Sequence, residues 1–131
     1  MSAGRYPIYI EQGATIDFEI QYQDSEGNPV DLTGYGARMQ FRPSATSATV
    51  YLSLTNNLNS DGTGINMSGS TPYKSPASGT LGVYISSCTS SALTFGEAVY
   101  DLEIFTPVNS SCPTVTRILQ GPVRLSNEVT R

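Results

Sequence analysis

The stretch LTFGEAVYDLEIF, residues 93–105, alternates with a period of two: Ala98, Tyr100, Leu102 and Ile104 fall on one side, Asp101 and Glu103 on the other. Successive strand side chains point to opposite faces, so this run is a β-strand with one apolar and one wetted face. Gly96 lies four residues before Tyr100, and Leu102 two after it. That spacing predicts a tyrosine corner, in which the Tyr100 hydroxyl bonds back to the upstream backbone and pins the entry into the strand.

The same period recurs on both sides of this run. ATIDFEIQYQ (14–23) sets Ile16, Phe18, Ile20 and Tyr22 against Thr15, Asp17, Glu19 and Gln21. GARMQFRP (36–43) sets Ala37, Met39 and Phe41 inward and Arg38, Gln40 and Arg42 outward, and Pro43, which has no N–H to donate, ends it. TVYLSLT places Val50, Leu52 and Leu54 inward, and GTLGVYISS does the same with Leu81, Val83 and Ile85. The final run, TVTRILQGPVRLS, is interrupted by Gly121-Pro122, which predicts a bulge or a strand switch there. RYPIYIEQ reads as an edge strand, GINMSG as a short weak one, and TSSALTF as at most one helical turn. Seven or eight short strands separated by Gly, Pro, Asn and Ser turns predict an all-β, antiparallel β-sandwich. At 131 residues, the chain is read as a single domain over 1–131, with a long polar loop at about 56–80.

DLTGYGARMQFRP (31–43) enters its strand through a turn. Asp31 and Thr33 are the side-chain caps of that turn, while Gly34 and Gly36 relieve backbone strain. Arg38 and Arg42, facing outward, are candidate interface residues, because a guanidinium fork matches partner carboxylates. The edge strand with Tyr6, Ile8 and Ile10 is a second candidate, since an unpaired edge can be completed by a neighbouring chain.

Composition narrows the function. Charged residues are 14% of the chain, and the 7 basic against 11 acidic residues give a net charge of −4. That is not the basic surface a nucleic-acid binder needs to displace counterions. No apolar run approaches the roughly 20 residues of a membrane span. MSAGRYPIYIEQG has neither the basic nor the apolar region of a signal peptide, which predicts folding in a cytosol. Histidine is absent, which removes the usual triad base and the commonest zinc ligand. Asp17/Glu19 and Asp101/Glu103 read as solvated strand faces, and DSEGNPVD as a hairpin turn, because its Gly is misplaced for a calcium loop and the closing Glu is missing. GYG and GTG are read as turn glycines. Asn66-Met67-Ser68 and Asn109-Ser110-Ser111 match the glycosylation pattern by chance. Cys88 and Cys112 fall near opposite ends of the strand between them, which predicts two free thiols. Tyr22 and Tyr100 face inward; Tyr6, Tyr9, Tyr35, Tyr51, Tyr73 and Tyr84 are available for the surface, where they would suit a protein interface or a sugar. No catalytic residue, metal site or cofactor is expected.

The order of motifs carries a resemblance. Glu11-Gln12-Gly13, Asp31-Leu32-Thr33-Gly34-Tyr35, Met39-Gln40-Phe41-Arg42, Gly96 with Tyr100-Asp101-Leu102, Gln120-Gly121 and Val129-Thr130-Arg131 follow one another along nearly the whole chain. In this the chain resembles small immunoglobulin-like virion proteins of tailed bacteriophages, and is similar to the N-terminal domains of baseplate and tail-fibre adaptor proteins. The resemblance implies an immunoglobulin-like sandwich and a non-enzymatic structural role in the tail, neck or baseplate, with other virion proteins and copies of itself as partners. Head decoration is the alternative within that class, and a carbohydrate- or host-receptor-binding module is the alternative outside it. The chain ends at Val129-Thr130-Arg131 without an appended fibre domain, which favours an adaptor or decoration role.

Overall fold

A computed structural model describes residues 4–67, 79–106 and 111–127. Among these are nine strands: β1 (Gly4–Arg5), β2 (Ile8–Glu11), β3 (Ile16–Gln21), β4 (Gly36–Arg42), β5 (Leu52–Thr55), β6 (Gly64–Asn66), β7 (Thr80–Ile85), β8 (Glu97–Thr106) and β9 (Thr114–Ser126). One short helix, α1 (Ser87–Ser91), starts a little ahead of the expected turn. The strands form two sheets. The larger runs β1-β9-β8-β4-β5, with β2 also on β9, and the smaller runs β3-β7-β6. The chain is all-β, as the alternation predicted.

The two sheets share one core. Met39, Phe41, Leu54, Leu102, Ile104 and Val123 come from the larger sheet, and Ile65, Leu81, Val83 and Ile85 from the smaller. Each such side chain contributes about 1.5–3 kcal/mol by leaving water. One end of the core is aromatic. Phe41 meets Phe95 and Tyr100 edge-on, and Tyr51 stacks on Phe95 at 4.7 Å. Pro43 ends β4 as expected. Val50 lies outside any strand and is exposed, so the inward run expected from Val50 starts at Leu52.

Three expectations are corrected. The sheets are not wholly antiparallel, because β1 and β2 both pair with β9 in parallel. The irregularity in β9 is not at Gly121-Pro122. β9 runs unbroken through that dipeptide, and the register shift falls where Leu102 faces Leu119 but Glu103 faces Arg117, leaving Ile118 as the extra residue. Pro122 has another effect. Gly4 faces Leu119, Arg5 faces Gln120, and pairing resumes in the same register with Ile8 facing Val123. Carried across the gap, that register sets Pro7 beside Pro122, where neither residue has an N–H to give. Third, Ile8 and Ile10 are buried core residues rather than interface residues, since β2 turns them inward and leaves Tyr9 outside, 70% exposed.

Within the polar segment 56–80, an Asn59–Gly62 turn leads into β6, and Gly79 leads into β7. Residues 68–78 lie outside the described residues, as do Tyr73, Asn109-Ser110 and the 129–131 terminus.

Candidate functional site

The outer face of the larger sheet gathers the charges. β8 is its central strand, between β4 and β9, so its outward residues acquire neighbours on both sides. One row runs Arg38, Glu103, Arg117, and the next Gln40, Asp101, Gln120. Arg38 Nε donates to Glu103 Oε1 at 2.8 Å, Arg117 Nε lies 3.3 Å from Asp101 Oδ2, and Arg124 lies 3.6 Å from Glu97. Exposed cross-strand pairs of this kind each contribute about 0–1 kcal/mol. Between the rows and the neighbouring loop lies an open depression of about 610 Å³, lined by Arg5, Gln40, Arg42, Asp101, Arg117 and Gln120 among others.

The two arginines singled out in the sequence are both on this face, in its interior rather than at an edge. Arg38 pairs with Glu103 and lies over the Phe105 ring, 5.0 Å from its centre. Gly36 makes room for that ring, since a Cβ there would come within 2.5 Å of it; the residue is needed for packing and not for the strain relief expected. Arg42 donates from Nη1 to the Ser47 carbonyl and from Nη2 to Gln40 Oε1, both at 2.7 Å, and so holds the 43–49 loop over the depression.

The Tyr100 hydroxyl does not close a corner at Gly96. It donates at 2.6 Å to the backbone carbonyl of Tyr6, 94 residues away. Gly96 has no positive φ and an open surrounding, while its carbonyl accepts from the Leu125 N–H. The reason is topological: the N-terminal segment lies against β9, the neighbour of β8, and places the Tyr6 carbonyl within reach of the hydroxyl. Gly121 permits this approach, because a Cβ on it would come within 2.5 Å of the Tyr6 oxygen. Burial, and then the neighbouring Tyr6 phenol, push the Tyr100 hydroxyl well above its ordinary value and keep it a donor. Tyr6 is therefore an anchor as well as a surface residue, its ring lying 5.9 Å from that of Phe18.

The Asp31 turn is built as expected. The Thr33 N–H and hydroxyl both donate to Asp31 Oδ1, at 2.9 and 2.6 Å, and Gly34 takes φ +84° in the turn closed by the Tyr35 N–H on the Leu32 carbonyl. The Thr33 hydroxyl, then its N–H, lower the Asp31 pKa. Asp24 likewise caps a tight hairpin tip by accepting from the N–H groups of Glu26 and Asn28.

A denser cluster escaped the sequence reading. Asp61 Oδ1 accepts from the Thr63 N–H at 3.0 Å, and Oδ2 accepts from the Ser86 hydroxyl at 2.6 Å and the Thr89 hydroxyl at 2.8 Å. Ser86 also caps α1 by accepting from the Thr89 N–H, and its own N–H donates to Thr63 Oγ1. The Ser86 hydroxyl, then the Thr63 N–H and the Thr89 hydroxyl, hold the Asp61 carboxyl far below the usual range. A carboxylate saturated with donors is a poor base, so this is a clamp between the 59–63 turn and α1. A signal was available: Asp61-Gly62-Thr63 repeats the Asp31-Leu32-Thr33 spacing, and Ser86 stands three residues before Thr89.

Cys88 and Cys112 are exposed and are not joined in a disulfide, as predicted. Tyr6, Tyr9 and Tyr51 are exposed, Tyr22, Tyr35 and Tyr84 half-buried, and Tyr100 buried. No helix among the described residues is long and apolar enough to cross a membrane. No protein-family model matches the chain, and no curated protein sequence matches it.

Proposed function

We propose that the chain is an immunoglobulin-like β-sandwich serving as a non-enzymatic structural component of a tailed-phage virion, in the tail, neck or baseplate, where it adapts or anchors fibres through protein–protein contacts. Strand order supports the fold reading. β3-β7-β6 follow the B-E-D order of such domains, β4, β8 and β9 the C-F-G trio, and β5 takes the added position beside strand C. The first strand then lies beside the last rather than beside the second.

The observation that carries the docking role is the outer face of the larger sheet, an open surface of arginines and carboxylates on paired strands. Arginine at a rim suits carboxylate-bearing partners, and rigid strands meet a partner with little ordering cost. The phage setting rests on the co-linear motifs from Glu11-Gln12-Gly13 to Gln120-Gly121.

The test is mass spectrometry and cryo-electron microscopy of purified particles encoding this chain. Density for it at the neck, baseplate or fibre attachment is the expected result. Density on the capsid shell would transfer the role to head decoration, and particles lacking the chain would overturn the reading. A glycan array gives the rival outcome, reproducible sugar binding that is lost in Tyr9→Ala.

A further inference from the structure

Charge is distributed unevenly over this molecule. From Tyr6 to Ala37 there is no Lys or Arg, but there are six carboxylates: Glu11, Asp17, Glu19, Asp24, Glu26 and Asp31. The basic residues gather on the larger sheet, beside the carboxylates of Glu97, Asp101 and Glu103. Arg38, Arg42, Arg117 and Arg124 stand on its outer face and Arg5 at the depression, which together are five of the seven basic residues.

The depression carries a local surplus of positive charge. Its two carboxylates are committed, Asp101 to Arg117 and Glu103 to Arg38. Arg5 and Arg42 have no carboxylate within ion-pair distance among the described residues, and Arg42 is held in place by the neutral oxygens of Ser47 and Gln40. Two arginines with uncompensated charge therefore border an open hollow of about 610 Å³, inside the range of roughly 300–1,000 Å³ typical of ligand sites.

A complement to it exists on the same chain. The hairpin after β3 ends in a rigid tip, where the Asp24 N–H donates to the Asn28 carbonyl, the Gly27 N–H donates to the Asp24 carbonyl, and Gly27 takes φ +84°. Asp24 and Glu26 are exposed there. A pre-shaped turn with two carboxylates loses little entropy on entering an arginine-lined hollow.

We propose that the arginine-bordered depression receives the acidic hairpin tip of a second copy of this chain, Glu26 and Asp24 meeting Arg42 and Arg5, so that copies join head to tail. The two patches differ, so the contact is heterologous, and successive copies close into a ring or extend as a filament according to the rotation between them. Exposed ion pairs are individually weak. The contact therefore operates where many copies are held close together, and for that setting it rests on the particle role proposed above.

The test is sedimentation velocity of the full chain over a concentration series, at low ionic strength and at about 1 M salt, where the screening length falls to about 3 Å. The wild-type average mass rises with concentration at low salt and returns to the monomer at high salt. Arg42→Glu and Glu26→Arg each weaken self-association about tenfold or more. Mixing these two variants restores it, because each supplies the complement of the other's changed patch. Arg5→Glu, which leaves the Arg42 bonds to Ser47 and Gln40 in place, weakens association as Arg42→Glu does and so separates loss of charge from loosening of residues 43–49. A wild type that stays monomeric throughout, variants that associate like the wild type, or a mixture that fails to recover would each overturn the contact. Presence in purified particles is read separately, so failure here leaves the virion reading standing, and the reverse holds as well.

Discussion

Two strands of this protein have nearly the same sequence and different surroundings. β3 reads Ile16-Asp17-Phe18-Glu19-Ile20, and the start of the β8 core reads Tyr100-Asp101-Leu102-Glu103-Ile104. In β8 the inward side chains are fully buried, and the outward carboxylates are half-buried among arginines. In β3 the inward side chains are half-buried and the carboxylates exposed. The difference is the number of neighbours: β8 has a strand on each side, while β3 ends its sheet. Alternation therefore encodes which way a side chain points, and position within the sheet decides how much of it leaves water.

The sharpest way to break this comparison is to truncate matched positions. Leu102→Ala should cost about 2–5 kcal/mol, because it opens a cavity among residues that cannot collapse into it. Ile20→Ala, half-buried at an edge, should cost nearer 1 kcal/mol. Urea denaturation monitored by circular dichroism reads both, and equal losses would show that β3 is as enclosed as β8.

Next in size is the long-range lock that β8 carries through Tyr100. Tyr100→Phe leaves the Tyr6 carbonyl without its donor and should cost about 0.5–1.5 kcal/mol. The pH dependence has a definite sign. The folded value of Tyr100 is raised, so its contribution is complete below the ordinary tyrosine value near 10 and is lost as the pH climbs from there through the folded value. Unfolding curves on the alkaline side should therefore fall less steeply in Tyr100→Phe than in the wild type.

The two aspartate turns extend the comparison to acid. Asp31 and Asp61 begin the same Asp-x-Thr motif, but Asp61 also receives the hydroxyls of Ser86 and Thr89. Both folded values are lowered, so the stability they contribute is present in full above the ordinary carboxylate value near 4 and is lost as the pH falls through the folded value. Asp61→Asn should flatten the acid limb of the stability profile more than Asp31→Asn does. Smallest of all are the surface pairs: Glu103→Gln should cost at most about 1 kcal/mol by removing the Arg38 pair. Glu19→Gln should change stability less than Glu103→Gln, and salt titration of both melting curves separates them.

The misread features share one cause. Spacing points Tyr100 to a corner four residues upstream because it exposes only local partners, whereas its acceptor comes from the N-terminal segment laid against β9. An edge strand reads from sequence as open on its faces as well as its side, which offers Ile8 and Ile10 to an interface; β2 is an edge strand whose inner face is covered. The Asp61 clamp went unseen because its donors lie 25 and 28 residues away. Asp31, Thr33 and Gly34, by contrast, were legible because the whole device lies within one turn.

Sequence alone settled the all-β class, the facing of the residues on β3, β4, β7 and β8, the Asp31 turn and the separation of the two cysteines, because each depends on a period of two or on the run of one strand. Tertiary structure decided the parallel seating of β1 and β2 on β9, the bulge at Ile118, the Tyr100–Tyr6 bond and the gathering of arginines on one face. Those depend on which strands become neighbours, and that choice is made by the burial of the whole core at once, which no local window of the chain contains.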